Sequence, residues 1–249
     1  MENVERLNRR KFLGLSTMSV VASQFGIFDQ AKAQSSLNSL NDKKQISSPH
    51  SFRQVKQINA GVLNIGYAEE GPSDGKPVVL LHGWPYDIHT YTEVAINLAA
   101  KGYRVIVPYL RGYGTTRFLS EQTVRNGQQA ALAVDIIALM DALKIEKAII
   151  GGCDWGARTA NILAALWPQR FIALVSVSGY LIGSQEKNKS PLSPKAEQSW
   201  WYQYYFATER GRMGYEVNRK EFAKLIWETA SPEWKFTDQV FEQSATAFE

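Results

Sequence analysis

The chain predicts an α/β fold: a doubly wound, mostly parallel sheet with a helical cap inserted after its sixth strand. Three observations carry this. Short apolar runs alternate with stretches of helical period between residues 76 and 177, which is the pattern of strands separated by amphipathic helices. The run Val78-Val79-Leu80-Leu81 has no polar face, as a strand covered on both sides requires. A turn of small residues, Ile150-Gly151-Gly152-Cys153-Asp154-Trp155-Gly156-Ala157, joins another apolar run to a helical stretch. With 249 residues, 45% of them hydrophobic, one large domain with an insertion is expected rather than two independent ones.

The order begins with an address label. Asn8-Arg9-Arg10-Lys11-Phe12-Leu13 opens a modestly apolar stretch that closes on Ala31-Lys32-Ala33, the pattern of a cleavable signal peptide over residues 1–33. The paired arginines followed by Phe-Leu resemble the twin-arginine type, so the export machinery is an expected partner and the periplasm or medium the expected location. The stretch is too short and too polar for a membrane anchor. Residues 34–51 are rich in Ser, Asn and Lys and read as a disordered leader. Residues 1–33 hold five basic and three acidic side chains, so removing them takes the formal charge from +4 to +2. That is too little, and too scattered, for a nucleic-acid partner. The single cysteine, Cys153, excludes an intrachain disulfide.

The core is expected over 52–179. Residues 52–58 and 62–69 alternate in period two around Ala60-Gly61, a hairpin signal. The strand at Val78 runs into His82-Gly83-Trp84-Pro85, and Tyr91, Val94, Ala95 and Leu98 then recur at helical spacing. Val105-Ile106-Val107 ends at Pro108 and opens the loop Tyr109-Leu110-Arg111-Gly112-Tyr113-Gly114. Leu132, Ile136, Leu139 and Leu143 mark one face of a long helix, and residues 171–177 form the sixth strand. In such sheets the site lies beyond the carboxyl ends of the strands, where His82-Gly83-Trp84, Arg111-Gly112 and Asp154 all fall.

Asp154 admits two readings. Asp favours the N-cap of a helix. A carboxylate at the tip of a glycine-flanked turn is also held ionised by the helix N-terminus, ready to attack carbon without a base. The convergence of three distant loops on one crevice favours the nucleophile. Residues 180–249 then read as an incomplete helical cap: a polar linker over 184–195, the aromatic cluster Trp200-Trp201-Tyr202-Gln203-Tyr204-Tyr205-Phe206, and helical patterns over 216–230.

The hairpin, the HGWP and RGYG loops and the G-x-D-W-G elbow together resemble the α/β-hydrolase fold, and within it the epoxide hydrolases and related haloalkane and haloacid dehalogenases. The resemblance covers residue 52 to the end. Asp154 at the tip disfavours the serine-nucleophile members, and the aromatic Trp84 is closer to epoxide hydrolases than to haloalkane dehalogenases, which commonly carry Asn there. The resemblance implies that Asp154 forms an alkyl ester with a small to medium apolar epoxide. It implies that the backbone N–H groups of Trp84 and Trp155 form the oxyanion hole for ester hydrolysis. Trp84, Trp155 and Trp201 are expected to line the substrate pocket. Tyr202, the first Tyr of a Y-Q-x-Y-F run, is expected to protonate the opening ring, with Tyr205 as substitute. His82 and Arg111 are read as loop-fixing residues, Cys153 as a small buried filler or an oxidisable thiol beside the site, and no cofactor or metal is expected.

The departures matter as much. The family places a water-activating His and an orienting acid near its C-terminus, whereas this chain has only His50, His82 and His89. The last core strands are expected to be missing, which leaves an apolar sheet edge. Two rival readings follow: a dehalogenase with the same nucleophile, and a non-catalytic or vestigial ligand-binding domain. The address label makes its own prediction. Exported protein should begin at Gln34, and replacing Arg9 and Arg10 by lysine should hold the precursor in the cytoplasm; N-terminal sequencing of each cell fraction checks both.

Overall fold

A computed structural model describes residues 51–179, 184, 186 and 189–248. The expected signal peptide, 1–33, and all but the last residue of the leader, 34–51, lie outside the described residues, as do 180–183 at the start of the expected cap.

The sheet opens with the expected hairpin. β1 (Val55–Ala60) and β2 (Leu63–Glu70) pair antiparallel with Ala60 opposite Leu63, leaving Gly61 and Val62 as the turn. Gly61 sits at φ +57, a conformation costly for residues bearing a Cβ. β3 (Lys76–Leu81), β4 (Tyr103–Pro108), β6 (Ala148–Cys153) and β7 (Phe171–Val177) form the parallel part. β5 (Arg117–Phe118) pairs with Leu63 and Asn64 and had no counterpart in the sequence pattern, because two residues carry no periodicity. The spatial order is β1-β2-β4-β3-β6-β7. From β3 the chain moves outward to β4 and then returns to the other side of β3 as β6. This reversal opens a crevice at the carboxyl ends of β3 and β6.

Alternate side chains of the parallel strands feed two apolar layers. Val79, Leu81, Ile106 and Ile150 face α2 (Gln129–Ala142) and α3 (Trp155–Leu166), which contribute Leu132, Ile136, Leu139, Met140 and Leu163. Val78, Leu80, Val105 and Val107 face the other way, towards α1 (Thr92–Ala99), which supplies Ala95. Val94 was expected on that buried face but is 44% exposed; Ala95 and Leu98 carry the contact instead.

After β7 come α4 (Pro194–Ser199), α5 (Trp201–Phe206), α6 (Glu209–Val217), α7 (Arg219–Ala230) and α8 (Asp238–Ala245). The helical character expected of 180–249 is present in the described residues, but the segment does not all lie over the crevice. Ala223 and Trp227 of α7, Phe241 and Ala245 of α8, and Ala247 and Phe248 beyond it join the layer under Val78 and Leu80. A polar contact locks them there: the buried Asp87 accepts from Ser244 Oγ at 2.7 Å and, through its other oxygen, from His89 Nδ1 at 2.7 Å. At the far edge β7 pairs, among the described residues, only with β6, and Ile172, Leu174, Val175 and Val177 are 39–57% exposed. Among the described residues no helix is long and apolar enough to cross a membrane.

Because Phe241 is 1% exposed and packs edge-on against Trp227 at 5.2 Å, Phe241→Ala should cost about 3–5 kcal/mol. Val94→Ala should cost less than about 0.5 kcal/mol. Denaturant titration of the two variants distinguishes a load-sharing α8 from an accessory one.

Candidate active site

The elbow forms because its neighbours are glycines. α3 starts so close to β3 that a Cβ on Gly156 would stand 1.9 Å from the Leu81 carbonyl oxygen. A Cβ on Gly152 would meet the backbone of Gly156 at 2.4 Å. The tip residue, Asp154, is driven to φ 54 and ψ −116, a sparsely populated conformation for a residue with a side chain. Two backbone bonds hold it there: the Asp154 N–H donates to the Val177 carbonyl and the Arg158 N–H to the Asp154 carbonyl, each at 3.0 Å.

The Asp154 side chain does not cap the helix it precedes. It points across the β3–β6 crevice, and its Oδ1 accepts the backbone N–H of Trp84 at 3.0 Å. Gly83 makes that approach possible, since a Cβ there would lie 2.6 Å from the Asp154 Cβ and 2.7 Å from Oδ1. The Trp155 N–H makes no hydrogen bond to the carboxylate. The two backbone donors expected to flank Asp154 are therefore unequal here: Trp84 engages it and Trp155 does not.

The carboxylate opens into a cavity of about 1210 Å³ lined by Trp84, Trp155, Arg158, Trp200, Tyr202 and Phe206, among others. Tyr202 of α5 lies against the Trp84 ring at a centroid distance of 5.3 Å, and burial, ahead of the nearby Asp154 charge, pushes its phenol up from the usual value. The phenol thus keeps its proton at neutral pH. Tyr205 lies outside the lining; its ring stacks on Phe222 at 5.8 Å, within the cap's own aromatic cluster. Trp201 requires a correction. It packs on Phe222 at 5.3 Å and Tyr205 at 5.8 Å, while its neighbour Trp200 faces the cavity. Trp200 is the N-cap of α5, with non-helical φ −112 and ψ 16, so the backbone turn into the helix sends the two rings in different directions, and an aromatic run cannot reveal which one faces inward.

His82 and Arg111 hold loops. The His82 ring is fully buried; its Nε2 accepts the Leu110 N–H at 3.1 Å, so the proton resides on Nδ1, 3.1 Å from the Gly83 carbonyl. Arg111 forms a paired contact with Asp135, both bonds 2.6 Å, and donates to the Asn126 carbonyl. Burial, ahead of the Asp154 charge, pushes the Cys153 thiol up, which keeps it protonated and unreactive beside the carboxylate. Three further residues at the site were not among those expected there from the sequence. Tyr113 packs edge-on to His82 at 4.7 Å and lines the cavity. The Tyr215 hydroxyl accepts the Trp84 indole N–H at 3.1 Å. Arg158 also lines the cavity, and its place four residues after Asp154 put it on the same helix face, a spacing that was there to be read.

A family model described as the alpha/beta hydrolase fold matches residues 76–218. The chain belongs to the alpha/beta hydrolase family. Within it the similarities run to epoxide hydrolases. The chain is 30% identical over 174 residues to epoxide hydrolase B of Mycobacterium tuberculosis, covering 64% of this chain and 48% of that protein. It is 34% identical over 124 residues to an epoxide hydrolase of Caballeronia sordidicola, covering 50% of this chain and 37% of that one. A crystal structure of a candidate epoxide hydrolase from Klebsiella pneumoniae superposes with a TM-score of 0.76 at 62% identity, covering 81% of this chain and 67% of that one. The chain thus spans about half the length, or less, of these two curated relatives.

The buried His82 of this alpha/beta hydrolase sets a pH response. Burial holds its pKa below the ordinary 6.5, so the folded state binds fewer protons there than the unfolded chain. Stability from this group should be fully present above about pH 6.5 and be lost as the pH falls towards the depressed folded value. Urea unfolding at pH 7.5 and 5.5 should show a loss that His82→Gln reduces.

Proposed function

We propose that this alpha/beta hydrolase opens a small to medium apolar epoxide through a covalent ester on Asp154. Oδ1 is occupied by the Trp84 N–H, which leaves Oδ2 to attack a ring carbon. The new C–Oδ2 bond forms as the ring C–O bond breaks. The electron pair goes to the ring oxygen, which takes the Tyr202 proton, giving a hydroxyalkyl ester and a phenolate. Trp84, Trp155 and Phe206 supply the apolar wall around the reacting carbon.

The observation that carries this reading is the direction of the Asp154 side chain: away from its own helix, onto the Trp84 N–H, and into the cavity that Tyr202 faces. The similarity to epoxide hydrolases supports the substrate class. A phenol over the carboxylate suits a leaving oxygen better than a leaving halide, which needs no proton. Export to the periplasm or medium belongs to the same proposal and rests on the sequence pattern of 1–33.

Hydrolysis of the ester is a separate step that needs a base. Among the described residues both His82 nitrogens are engaged and His89 is committed to Asp87, while His50 lies outside the described residues. The 249 residues should therefore accumulate the ester rather than release diol. Intact-mass and peptide mapping after incubation with styrene oxide should find one epoxide added, on Asp154. Asp154→Ala should abolish the adduct and Tyr202→Phe should slow it about 100-fold. An unmodified Asp154 after prolonged incubation overturns the reading.

A further inference from the structure

Tyr215 of α6 points at the core but does not line the Asp154 cavity. It lines a second cavity, of about 560 Å³, that lies behind Trp84 and Tyr113, the two residues common to both. From behind that wall the Tyr215 hydroxyl accepts the Trp84 indole N–H at 3.1 Å. The same Trp84 gives its backbone N–H to Asp154. Its ring is also the nearest of the three that Tyr202 meets among the described residues, at 5.3 Å against 6.1 Å for Trp200 and 6.4 Å for Phe206.

The support behind Tyr215 is stiff. α6 lies so close on α5 that neither Gly211 nor Gly214 has room for a Cβ beside Tyr205. The Tyr215 ring packs edge-on to Phe206 of α5 at 5.1 Å. Tyr215 is therefore fixed to the helix that carries Tyr202. Ring contacts bury apolar area and still let an indole tilt, because burial has no direction. The indole N–H is a donor only, and an acceptor in one place fixes the direction of the whole ring. The Tyr215–Trp84 bond thus sets how the Trp84 ring stands between the Tyr202 phenol and the Asp154 carboxylate.

We propose that Tyr215 is a positioning residue for ring opening. By fixing the tilt of Trp84 it holds the Tyr202 phenol where the ring oxygen departs, and it takes no part in the proton transfer itself. The proposal deepens the epoxide reading and rests on it for the kinetic consequence, whereas the placement of Tyr202 stands independently of the reaction. That consequence is a selective defect. An epoxide needs the Tyr202 proton as its C–O bond breaks, while a bromide leaves without one. Losing the Tyr215 hydroxyl slows the first and spares the second.

Two measurements on the 249-residue chain test it. The first is the rate of Asp154 modification by styrene oxide and by 2-phenylethyl bromide, followed by intact mass and peptide mapping. Tyr215→Phe should slow the epoxide about tenfold, in the limiting rate rather than the half-saturating concentration, and leave the bromide within about twofold. In the Tyr202→Phe background the same substitution should change nothing further. Equal slowing with both reagents, slowing with neither, or a loss that persists without the Tyr202 hydroxyl overturns the proposal. The second measurement needs no reaction. With carbon-13 at the tyrosine Cζ positions, the Tyr202 resonance, assigned by its loss in Tyr202→Phe, should shift in Tyr215→Phe as the Trp84 ring tilts. An unmoved Tyr202 resonance overturns the proposal. A moved resonance with no adduct from either reagent supports the placement of Tyr202 by Tyr215 and overturns Asp154 as nucleophile instead.

Discussion

Everything at the site depends on the close approach of two loops, the one leaving β3 and the one leaving β6. The strands are neighbours with Leu81 opposite Gly152, so their ends rise side by side. Three positions without side chains, Gly83, Gly152 and Gly156, let the backbones come within contact distance there. The result is one hydrogen bond, from the Trp84 N–H to Asp154 Oδ1, that turns a carboxylate away from its helix and fixes it over the crevice. Any Cβ in that gap displaces the carboxylate or the helix. The strained φ of Asp154 is what the tight turn costs, and the surrounding parallel sheet is rigid enough to hold it.

Trp84 links this gap to the helices above it. Its amide holds Asp154, its indole N–H reaches Tyr215, and its ring meets Tyr202, Phe206 and Phe222. One residue thus sets the height of the aromatic layer over the carboxylate. The following loop is anchored from the other side, where the Trp227 indole N–H donates to the Pro85 carbonyl at 2.7 Å and Asp87 holds Ser244. The α7 and α8 helices therefore do more than cover the sheet: they fix the loop that carries the amide donor.

Much of the frame was legible in the residues. The solid apolar run of β3, the hairpin around Gly61 and the glycine-flanked elbow each have a local physical cause, and each appears where its cause lies. Asp154 is marked by its type and its place between glycines in the elbow, whereas Trp84 and Tyr202 were singled out through the resemblance to epoxide hydrolases. The misses share a different origin. Trp201 and Trp200 are adjacent aromatics, and only the backbone turn into α5 decides which faces the cavity. The β5 pairing and the return of α8 to the sheet are long-range contacts that leave no periodic trace.

By itself the sequence determined the succession of strands and helices, the tight elbow and the carboxylate at its tip, because apolar period and glycine placement act over a few residues. The tertiary structure alone decided what that carboxylate faces and which aromatics share its cavity. Those are matters of relative orientation between segments distant in the chain, and no local preference encodes them.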